Sequence, residues 1–258
     1  MRPTAVILDW AGTTVDYGSC GPAAVFQQIF ASQGVPVTVA EAREPMGRAK
    51  RDHIATVSRM PRVAAAWQKQ HGTPCSEADI DRMYADFLPL QKRVLAERSG
   101  VIPGVAEAIA RLRALGCPIG SSTGYTRELM DVVEPIAAKQ GYRPDVVCTA
   151  DDVPAGRPEP FLNRLVAQRL GVELSPAVIV VDDTPVGIEA GLRAGCTTVA
   201  VSKTGNMLGL DEAEVWSLSP GDLAARLAGI AADCRRLGAH YVIESVAELP
   251  ALIERISN

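Results

Sequence analysis

The sequence predicts an α/β protein with a doubly wound parallel sheet and a separate, all-helical domain inserted near the start of the chain. Over most of the chain, short apolar runs rich in Val, Ile and Thr alternate with amphipathic helical stretches. This alternation is typical of strands that helices cover on both faces. A segment from about residue 20 to residue 99 breaks the alternation and has helical periodicity only, which predicts the insertion.

Composition limits the classes of protein to consider. The 258 residues are 47% hydrophobic, which is enough for one large domain or two unequal ones. The net charge of −4 offers no basic field for nucleic acid, and no window approaches the ~20 apolar residues of a membrane span. The six cysteines lie far apart without zinc-site spacing, and the N-terminus lacks the pattern of an export signal. We therefore expect a cytoplasmic protein that binds neither nucleic acid nor membranes.

Strands and helices of the sheet domain can be placed in order. The strands are predicted near Ala5–Trp10, Pro118–Ser122, Asp145–Thr149, Ala177–Asp182 and Thr197–Val201. The helices between them are predicted at Val105–Leu115, Arg127–Gln140, Glu159–Leu170 and Val186–Ala194, each followed by a glycine that can end it. A polar loop (Lys203–Leu218), a helix near Pro220–Leu237, a strand-like His240–Val246 and a last helix follow. Ligands of such sheets bind at the carboxyl ends of the strands.

The inserted segment is predicted to be a mobile lid. Its predicted helices are Ala24–Gln33, Arg48–Arg59, Val63–Gln70 and Glu77–Glu97. Turn residues flank it at Tyr17–Ser19 and at Ser99–Gly104, where two hinge segments of a lid would lie. We therefore predict a catalytic core of residues 1–18 and 100–258 and a helical cap of residues 19–99.

Two predicted strands end in carboxylates. Asp9 ends the first strand and is followed by Gly12 and Thr13 in a tight turn, where backbone N–H groups could hold an anion beside a nucleophilic aspartate. Asp182 and Asp183 end the fourth, and paired acids suit a hard cation such as Mg²⁺. Each of these residues taken alone is equally explained as a turn or helix cap.

Polar groups also follow the second and third strands. Thr123 and Gly124 offer a hydroxyl and an N–H group that could hold a phosphate oxygen, and Arg157 could neutralise a phosphate. The alternatives are an ordinary helix cap and a surface cation at a turn. All these groups would meet at one edge of a parallel sheet, so together they indicate a phosphate site.

The order of Asp9, Thr123, Arg157 and Asp183 at the strand tips resembles the haloacid dehalogenase superfamily over the whole chain. The resemblance implies a Rossmann-like core, an aspartyl-phosphate intermediate, a mobile cap and Mg²⁺ held by Asp9, the backbone carbonyl of Ala11 and Asp183. Phosphatases of this superfamily usually carry a second aspartate at the position of Ala11, as the proton donor to an alkoxide. Its replacement by alanine favours a leaving group that needs no proton from this residue, such as carbon.

A lysine in the predicted cap could supply the electron sink that a carbon leaving group needs. Pro45 is predicted to open a helix whose 3.6-residue period puts Met46, Lys50 and His53 on one face. An unprotonated lysine amine condenses with an aldehyde to an iminium, which requires a pKa well below the usual ~10.4. The alternative is a solvated lysine beside a core methionine.

Longer strings resemble one family of the superfamily, the phosphonoacetaldehyde hydrolases or phosphonatases. They are Asp9–Thr13 (DWAGT), Met46–His53 (MGRAKRDH), Thr123–Glu128 (TGYTRE), Asp151–Pro158 and Gly238–His240. The resemblance implies that Asp9 is the nucleophile and Lys50 the Schiff-base amine. It also implies that Met46, His53 and Tyr125 handle protons near the imine, and that the protein is a homodimer joined through its caps.

Two departures from the family pattern concern the site. A second acid is often found four residues after Asp183, where this chain has Gly187, and Asp182 is a candidate substitute. A family cysteine corresponds to Ser19, beside Cys20, and neither residue is given a role.

We thus predict hydrolysis of phosphonoacetaldehyde, a small-molecule phosphonate, to acetaldehyde and phosphate. One alternative is a phosphomonoesterase or phosphosugar mutase on the same fold, which would not need Lys50. Another is a phosphate-responsive switch without catalysis.

Overall fold

The centre of the computed structural model, which describes residues 3–257, is a parallel sheet. Its strands are β1 (Ala5–Leu8), β2 (Ile119–Ser122), β3 (Val146–Cys148), β4 (Val178–Asp182), β5 (Thr197–Val201) and β6 (Tyr241–Ile243). They lie in the order β3-β2-β1-β4-β5-β6, and every neighbouring pair is parallel. The direction of winding reverses between β1 and β4, which opens a crevice at the carboxyl ends of these strands. The predicted fold class is confirmed.

Helices surround the sheet and form the insert. In chain order they are α1 (Cys20–Ser32), α2 (Val39–Arg43), α3 (Lys50–Ser58), α4 (Pro61–His71), α5 (Glu77–Arg98), α6 (Val105–Ala114), α7 (Arg127–Lys139), α8 (Phe161–Leu170), α9 (Pro185–Arg193), α10 (Glu212–Ser217), α11 (Pro220–Arg236) and α12 (Leu249–Ser257). The glycines that follow α6, α7, α8 and α9 all adopt positive φ, as the sequence predicted. Within residues 3–257, no helix has the length and apolar character that a membrane span requires.

The central strand β1 is buried on both sides. Val6 and Leu8 belong to the apolar core that includes α6, α7 and α12, whereas Ile7 belongs to the core beneath α8. Successive residues of a strand face opposite sides of the sheet, so an apolar run is needed for a strand that helices cover on both faces. This burial fixes the end of β1, and with it the position of Asp9.

The insert has an apolar core of its own. Helices α1, α3, α4 and α5 enclose buried aromatic and sulfur side chains, among them Phe26, Phe30, Trp67, Met83 and Phe87. The chain enters and leaves the insert side by side, because Val15 and Val101 form an isolated antiparallel bridge. The all-helical insert is confirmed, while its boundaries as a separate domain stay a prediction.

Some predicted elements were wrong in their bounds. Pro45 does not open a helix: residues 44–48 form turns, and α3 begins at Lys50. The helix predicted from Glu159 begins at Phe161. Two helices were missed, α2 and α10, the second inside the predicted loop Lys203–Leu218. Both are too short to show helical periodicity, although each has a capping box, Thr38 with Glu41 and Asp211 with Glu214.

Candidate active site

A small cavity lies between the sheet and the insert, at the carboxyl ends of β1, β2 and β4. Its lining residues are Asp9, Ala11, Ser19, Pro22, Met46, Gly47, Lys50, Thr123, Gly124, Tyr125, Arg157 and Thr184. Only about 20 Å³ is open to the centre of a water molecule, which is room for roughly one water. The structure therefore represents a closed arrangement, from which a larger ligand could not leave without movement of the insert.

Asp9 and Arg157 form a buried ion pair in this cavity. Arg157 Nη1 donates to Asp9 Oδ1 at 2.7 Å, and Nη2 donates to the carbonyl and the hydroxyl of Ser122, each at 2.8 Å. Burial raises the pKa of Asp9 to about 7, although the charge of Arg157 opposes the rise. Burial disfavours the charge of Arg157 as well, but Asp182 and Asp9 outweigh this effect and raise its pKa. The guanidinium is thus a permanent cation beside the carboxylate.

Three buried carboxylates could hold a metal ion. Asp9, Asp182 and Asp183 each place a ligand oxygen within 4.8 Å of the others. Burial, followed by the charges of Asp9 and Asp182, raises the pKa of Asp183 well above its ordinary value. Concentrated negative charge of this kind is costly inside a protein unless a cation compensates it. The donor set therefore fits a divalent cation, and Ala11, the predicted carbonyl ligand, lines the same cavity.

Asp183 is held in place by the surrounding loops. Its Oδ1 accepts a hydrogen bond from the Thr13 hydroxyl at 3.2 Å, and its Oδ2 accepts one from the Asn206 N–H group at 2.7 Å. Neither donor carries a charge, so these bonds orient the carboxylate and leave its negative charge uncompensated.

The backbone N–H groups of Gly12 and Thr13 are occupied in this structure, so the phosphate-binding role predicted for these residues stays a prediction. The Gly12 N–H group donates to the carbonyls of Val15 and Asp16, and that of Thr13 donates to the carbonyl of Trp10. Both amides are used within the turn that follows β1. Neither residue is among those that line the cavity, and Thr13 instead acts on Asp183.

Thr123 and Gly124 lie where the sequence predicted them, at the tip of β2. Both are buried and both line the cavity. The Thr123 hydroxyl oxygen accepts a hydrogen bond from the Tyr125 N–H group at 3.1 Å, which leaves the hydroxyl hydrogen to be donated elsewhere. Thr123 can therefore serve as a donor to an anion between β1 and β2.

Lys50 is the basic residue that the insert contributes to the cavity. Only 3% of its surface is exposed. Its Nζ lies 4.6 Å from the centroid of the Tyr125 ring and 5.7 Å from that of Phe26. Burial lowers the pKa of Lys50 to about 7, with Asp9 opposing and Arg157 assisting the shift. An amine with this pKa is about half unprotonated at neutral pH, whereas an ordinary lysine is about 0.04% unprotonated.

Met46 and Tyr125 reach the cavity, but His53 does not. Met46 lies in the turn before α3 rather than on the predicted helix face, and it is buried beside Lys50. His53 is fully buried and stacks on Phe26, with ring centroids 3.6 Å apart. Its Nε2 lies 2.9 Å from the Ala42 carbonyl, which can only accept, so Nε2 carries the proton. Burial lowers the pKa of His53 well below its ordinary value, and the ring is neutral.

Four cavity residues were not predicted: Ser19, Pro22, Gly47 and Thr184. Thr184 directly follows the acids of the fourth strand, and Gly47 lies within the MGRAKRDH string, so local sequence contained a signal for both. Ser19 corresponds to the family cysteine noted above, so the resemblance contained a signal for it. Pro22 reaches the site only because the start of α1 folds back over it, which no local pattern indicates.

Replacing Gly124 with alanine is expected to prevent full closure of the insert on the sheet. A Cβ atom at this position would lie 2.6 Å from the carbonyl oxygen of Arg48 and 2.8 Å from that of Gly47, and both are backbone atoms. Overlap of this kind typically costs about 1–3 kcal/mol, so kcat/KM should fall about 5-fold to 160-fold.

The matched control for Gly124→Ala is Gly229→Ala on α11, where a Cβ would have no neighbour within 4 Å. The control should retain full activity. Equal kcat/KM values for the two variants, at unchanged melting temperature, would contradict the close approach of insert and sheet.

The sequence of this chain is similar to those of known hydrolases. A family model described as haloacid dehalogenase-like hydrolase matches residues 3–195. The phosphonoacetaldehyde hydrolase of Nitratidesulfovibrio vulgaris is 47% identical over 252 residues, which cover 98% of this chain and 90% of that protein. The phosphonoacetaldehyde hydrolase of Bacillus cereus is 44% identical over 256 residues, which cover 99% of this chain and 97% of that protein.

Solved structures have a similar fold. The phosphonoacetaldehyde hydrolase-like protein of Oleispira antarctica superposes with a TM-score of 0.97 at 42% identity, and the match covers 99% of this chain and 93% of that one. A hydrolase from Pseudomonas syringae has a TM-score of 0.72 at 17% identity, and it shares the fold alone.

Proposed function

The chain belongs to the haloacid dehalogenase-like hydrolases, and within them to the phosphonoacetaldehyde hydrolases. On that premise we propose that it hydrolyses the C–P bond of phosphonoacetaldehyde to acetaldehyde and phosphate. The observation that carries the proposal is a single closed cavity lined both by a buried lysine of lowered pKa, Lys50, and by a strand-tip carboxylate, Asp9.

Lys50 begins the reaction. Its free amine adds to the aldehyde, and the adduct takes up a proton and loses water, which leaves an iminium carbon β to phosphorus. Burial against the rings of Tyr125 and Phe26 supports this role, because it favours the neutral amine before reaction. The closed cavity excludes the bulk water that would hydrolyse the imine.

Asp9 attacks phosphorus. Arg157 holds Asp9 Oδ1, and the carboxylate forms a bond to phosphorus while the C–P electron pair moves into the iminium and produces an enamine. Water then hydrolyses the aspartyl phosphate and releases phosphate. The enamine takes up a proton at carbon, and hydrolysis of the resulting iminium releases acetaldehyde and restores the Lys50 amine.

We propose Mg²⁺ as the metal ion, held by Asp9, Asp183 and the backbone carbonyl of Ala11. Oxygen ligands on buried carboxylates suit this hard cation. When bound, it would supply positive charge that reduces the repulsion between the anionic phosphonate and the carboxylate nucleophile. Arg157 and the Thr123 hydroxyl are the groups of this chain that we assign to the phosphonate oxygens. Gly124 has no side chain, which would allow these oxygens to approach the backbone closely.

Ala11 favours C–P cleavage over the alternative, a phosphomonoesterase or phosphosugar mutase. A methyl group cannot protonate an alkoxide, and C–P cleavage into an iminium needs no proton at that position. Tyr125 and Met46 border the imine in this proposal. His53 lies outside the cavity, stacked on Phe26, so a part in proton handling stays a prediction.

The proposed reaction requires the cap to move. We propose that residues 19–99 open and close on the core through the two hinge segments at Tyr17–Ser19 and Ser99–Gly104. Asp16, directly before the first segment, and Ser19, at its end, adopt left-handed φ values of 53° and 50°, a conformation that is strained for residues other than glycine.

We further propose that the protein is a cytoplasmic homodimer joined through its caps. Cys20, Cys75, Cys148, Cys196 and Cys234 are free thiols, which suits a reducing compartment. Val39, on the cap helix α2, is a large apolar side chain that is 51% exposed. Sedimentation of the full chain and of a Val39→Glu variant tests the dimer, and a monomeric wild-type protein would contradict it.

Trapping with borohydride tests the Schiff base. Incubation with acetaldehyde followed by borohydride reduction should add an ethyl group to Lys50, which peptide mapping would locate. Because the neutral amine is the reactive form and its pKa is about 7, the initial trapping rate should rise severalfold between pH 6 and pH 8. Label on another lysine, or no label on an enzyme that releases phosphate, would contradict the proposal.

A further inference from the structure

We propose that Asp182 is a positioning residue for Arg157, and that its carboxylate occupies the space that the missing side chain of Gly187 leaves. One carboxylate can fill this space, from position 182 or from position 187, but not two. The inference rests on the proposed function, since it concerns how Arg157 serves the attack of Asp9.

The contacts of Asp182 indicate positioning. Asp182 ends β4, and its side chain is 2% exposed. Its Oδ2 lies 3.0 Å from Arg157 Nη1, while Oδ1 accepts hydrogen bonds from the N–H group of Thr184 at 2.9 Å and from its hydroxyl at 2.7 Å. The Oδ2 of Asp182 is already paired with a cation, whereas both oxygens of Asp183 accept only from uncharged donors, which makes Asp182 the poorer metal ligand.

Asp182 limits how far the guanidinium of Arg157 can turn toward Asp9. Arg157 Nη1 lies between two carboxylates, with Asp9 Oδ1 at 2.7 Å and Asp182 Oδ2 at 3.0 Å, while Ser122 holds Nη2. Without Asp182, the guanidinium could turn wholly toward Asp9 and quench its nucleophilic charge. When Asp9 becomes the aspartyl phosphate and loses that charge, Asp182 still holds Arg157 in place beside the phosphoryl group.

Only glycine at position 187 leaves room for the Asp182 carboxylate. A Cβ atom at position 187 would lie 2.0 Å from both Cγ and Oδ2 of Asp182 and 2.2 Å from its Oδ1. These distances are far inside van der Waals contact, so any side chain at position 187 would displace Asp182. Gly187 lies within α9, where glycine is unfavourable, and the neighbouring carboxylate explains its presence.

Four variants test the shared space: Asp182→Asn, Asp182→Gly, Gly187→Asp and the double exchange Asp182→Gly/Gly187→Asp. Asp182→Asn keeps the shape and removes the charge, so kcat should fall about tenfold to a hundredfold with little change in KM. Asp182→Gly should lose at least as much activity. Gly187→Asp alone should be less stable than the wild-type protein, because two side chains then compete for one space.

The decisive comparison is between Asp182→Gly and the double exchange. The double exchange should recover at least tenfold in kcat over Asp182→Gly, because the aspartate at position 187 returns a carboxylate to the same space. A merely structural role of Asp182 predicts no such recovery. Unchanged kcat in Asp182→Asn would overturn the proposal, and so would a folded double exchange that is no more active than Asp182→Gly.

Trapping of acetaldehyde separates this proposal from the proposed function. Each folded variant should still give borohydride-stable label at Lys50, because Asp182 acts on Arg157 and not on the amine. Loss of label in the wild-type protein would contradict the proposed function, whereas normal label with normal turnover in Asp182→Asn would contradict only the positioning role. Asp131→Asn, an exposed change on α7, is the control and should leave kcat unchanged.

Discussion

Replacing Lys50 with arginine is expected to lower kcat for phosphonoacetaldehyde hydrolysis by a factor on the order of 10³ or more, which corresponds to about 4 kcal/mol of activation free energy. A guanidinium keeps the positive charge, but its pKa stays too high for it to act as a nucleophile. Without an iminium, the C–P electron pair has no acceptor, and a free carbanion is too poor a leaving group. Steady-state phosphate release measures the loss.

The control for Lys50→Arg is Lys203→Arg, a change in a surface ion pair with Glu244. This variant should retain full turnover, and the melting temperatures of both variants should be compared because Lys50 is buried. A folded Lys50→Arg enzyme that keeps its turnover would show that the amine is not needed. Undiminished hydrolysis of phosphate monoesters by this variant, with little hydrolysis of the phosphonate by either form, would instead favour the phosphomonoesterase alternative.

Replacing Asp9 with asparagine is expected to reduce phosphate release by a factor on the order of 10⁴ or more, since loss of a covalent nucleophile is among the largest single effects in enzymes. The amide keeps the shape of the side chain and the acceptor for Arg157. It removes the negative charge that attacks phosphorus and contributes to the metal site.

The same variant should still form the imine. Lys50 comes from the insert and Asp9 from the tip of β1, and imine formation does not use the Asp9 carboxylate, so borohydride should continue to label Lys50 with acetaldehyde in Asp9→Asn. Asp131→Asn again serves as the matched control. If Asp9→Asn abolished labelling while remaining folded, the two halves of the mechanism would not be separable as proposed. If it kept normal phosphate release, Asp9 would not be the nucleophile.

Much of the fold could be predicted because the apolar pattern reports which faces are buried. The run Ala5–Leu8 is apolar on both faces, and it forms the central strand that helices cover on both sides. The location of the strand tips could then be predicted as well, since the carboxyl ends of parallel strands meet at one edge of the sheet. Asp9, Thr123, Arg157 and Asp183 could therefore be assigned to one site before their distances were known.

The cap was harder to predict in detail. Its apolar period correctly indicated helices, but it misplaced the start of α3 and missed α2, whose five residues are too few to display a period. Helix starts depend on local caps and on packing against other elements, and Lys50 enters the cavity because α3 begins there. His53 shares the helix with Lys50, yet it stacks on Phe26 from α1, a contact between elements that spacing along one helix cannot indicate.

The sequence by itself determined the alternation of strands and helices, the helical insertion and the candidates for the reacting groups, because these depend on residue type and short-range order. Only the tertiary structure decided that Gly12 and Thr13 stabilise a turn, that Gly124 allows backbone contact across the cleft, and that Asp182 fills the space over Gly187. Exclusion of water by distant parts of the chain also sets the pKa of Lys50. Burial and steric contact are properties of the assembled fold, and no local pattern of residues contains them.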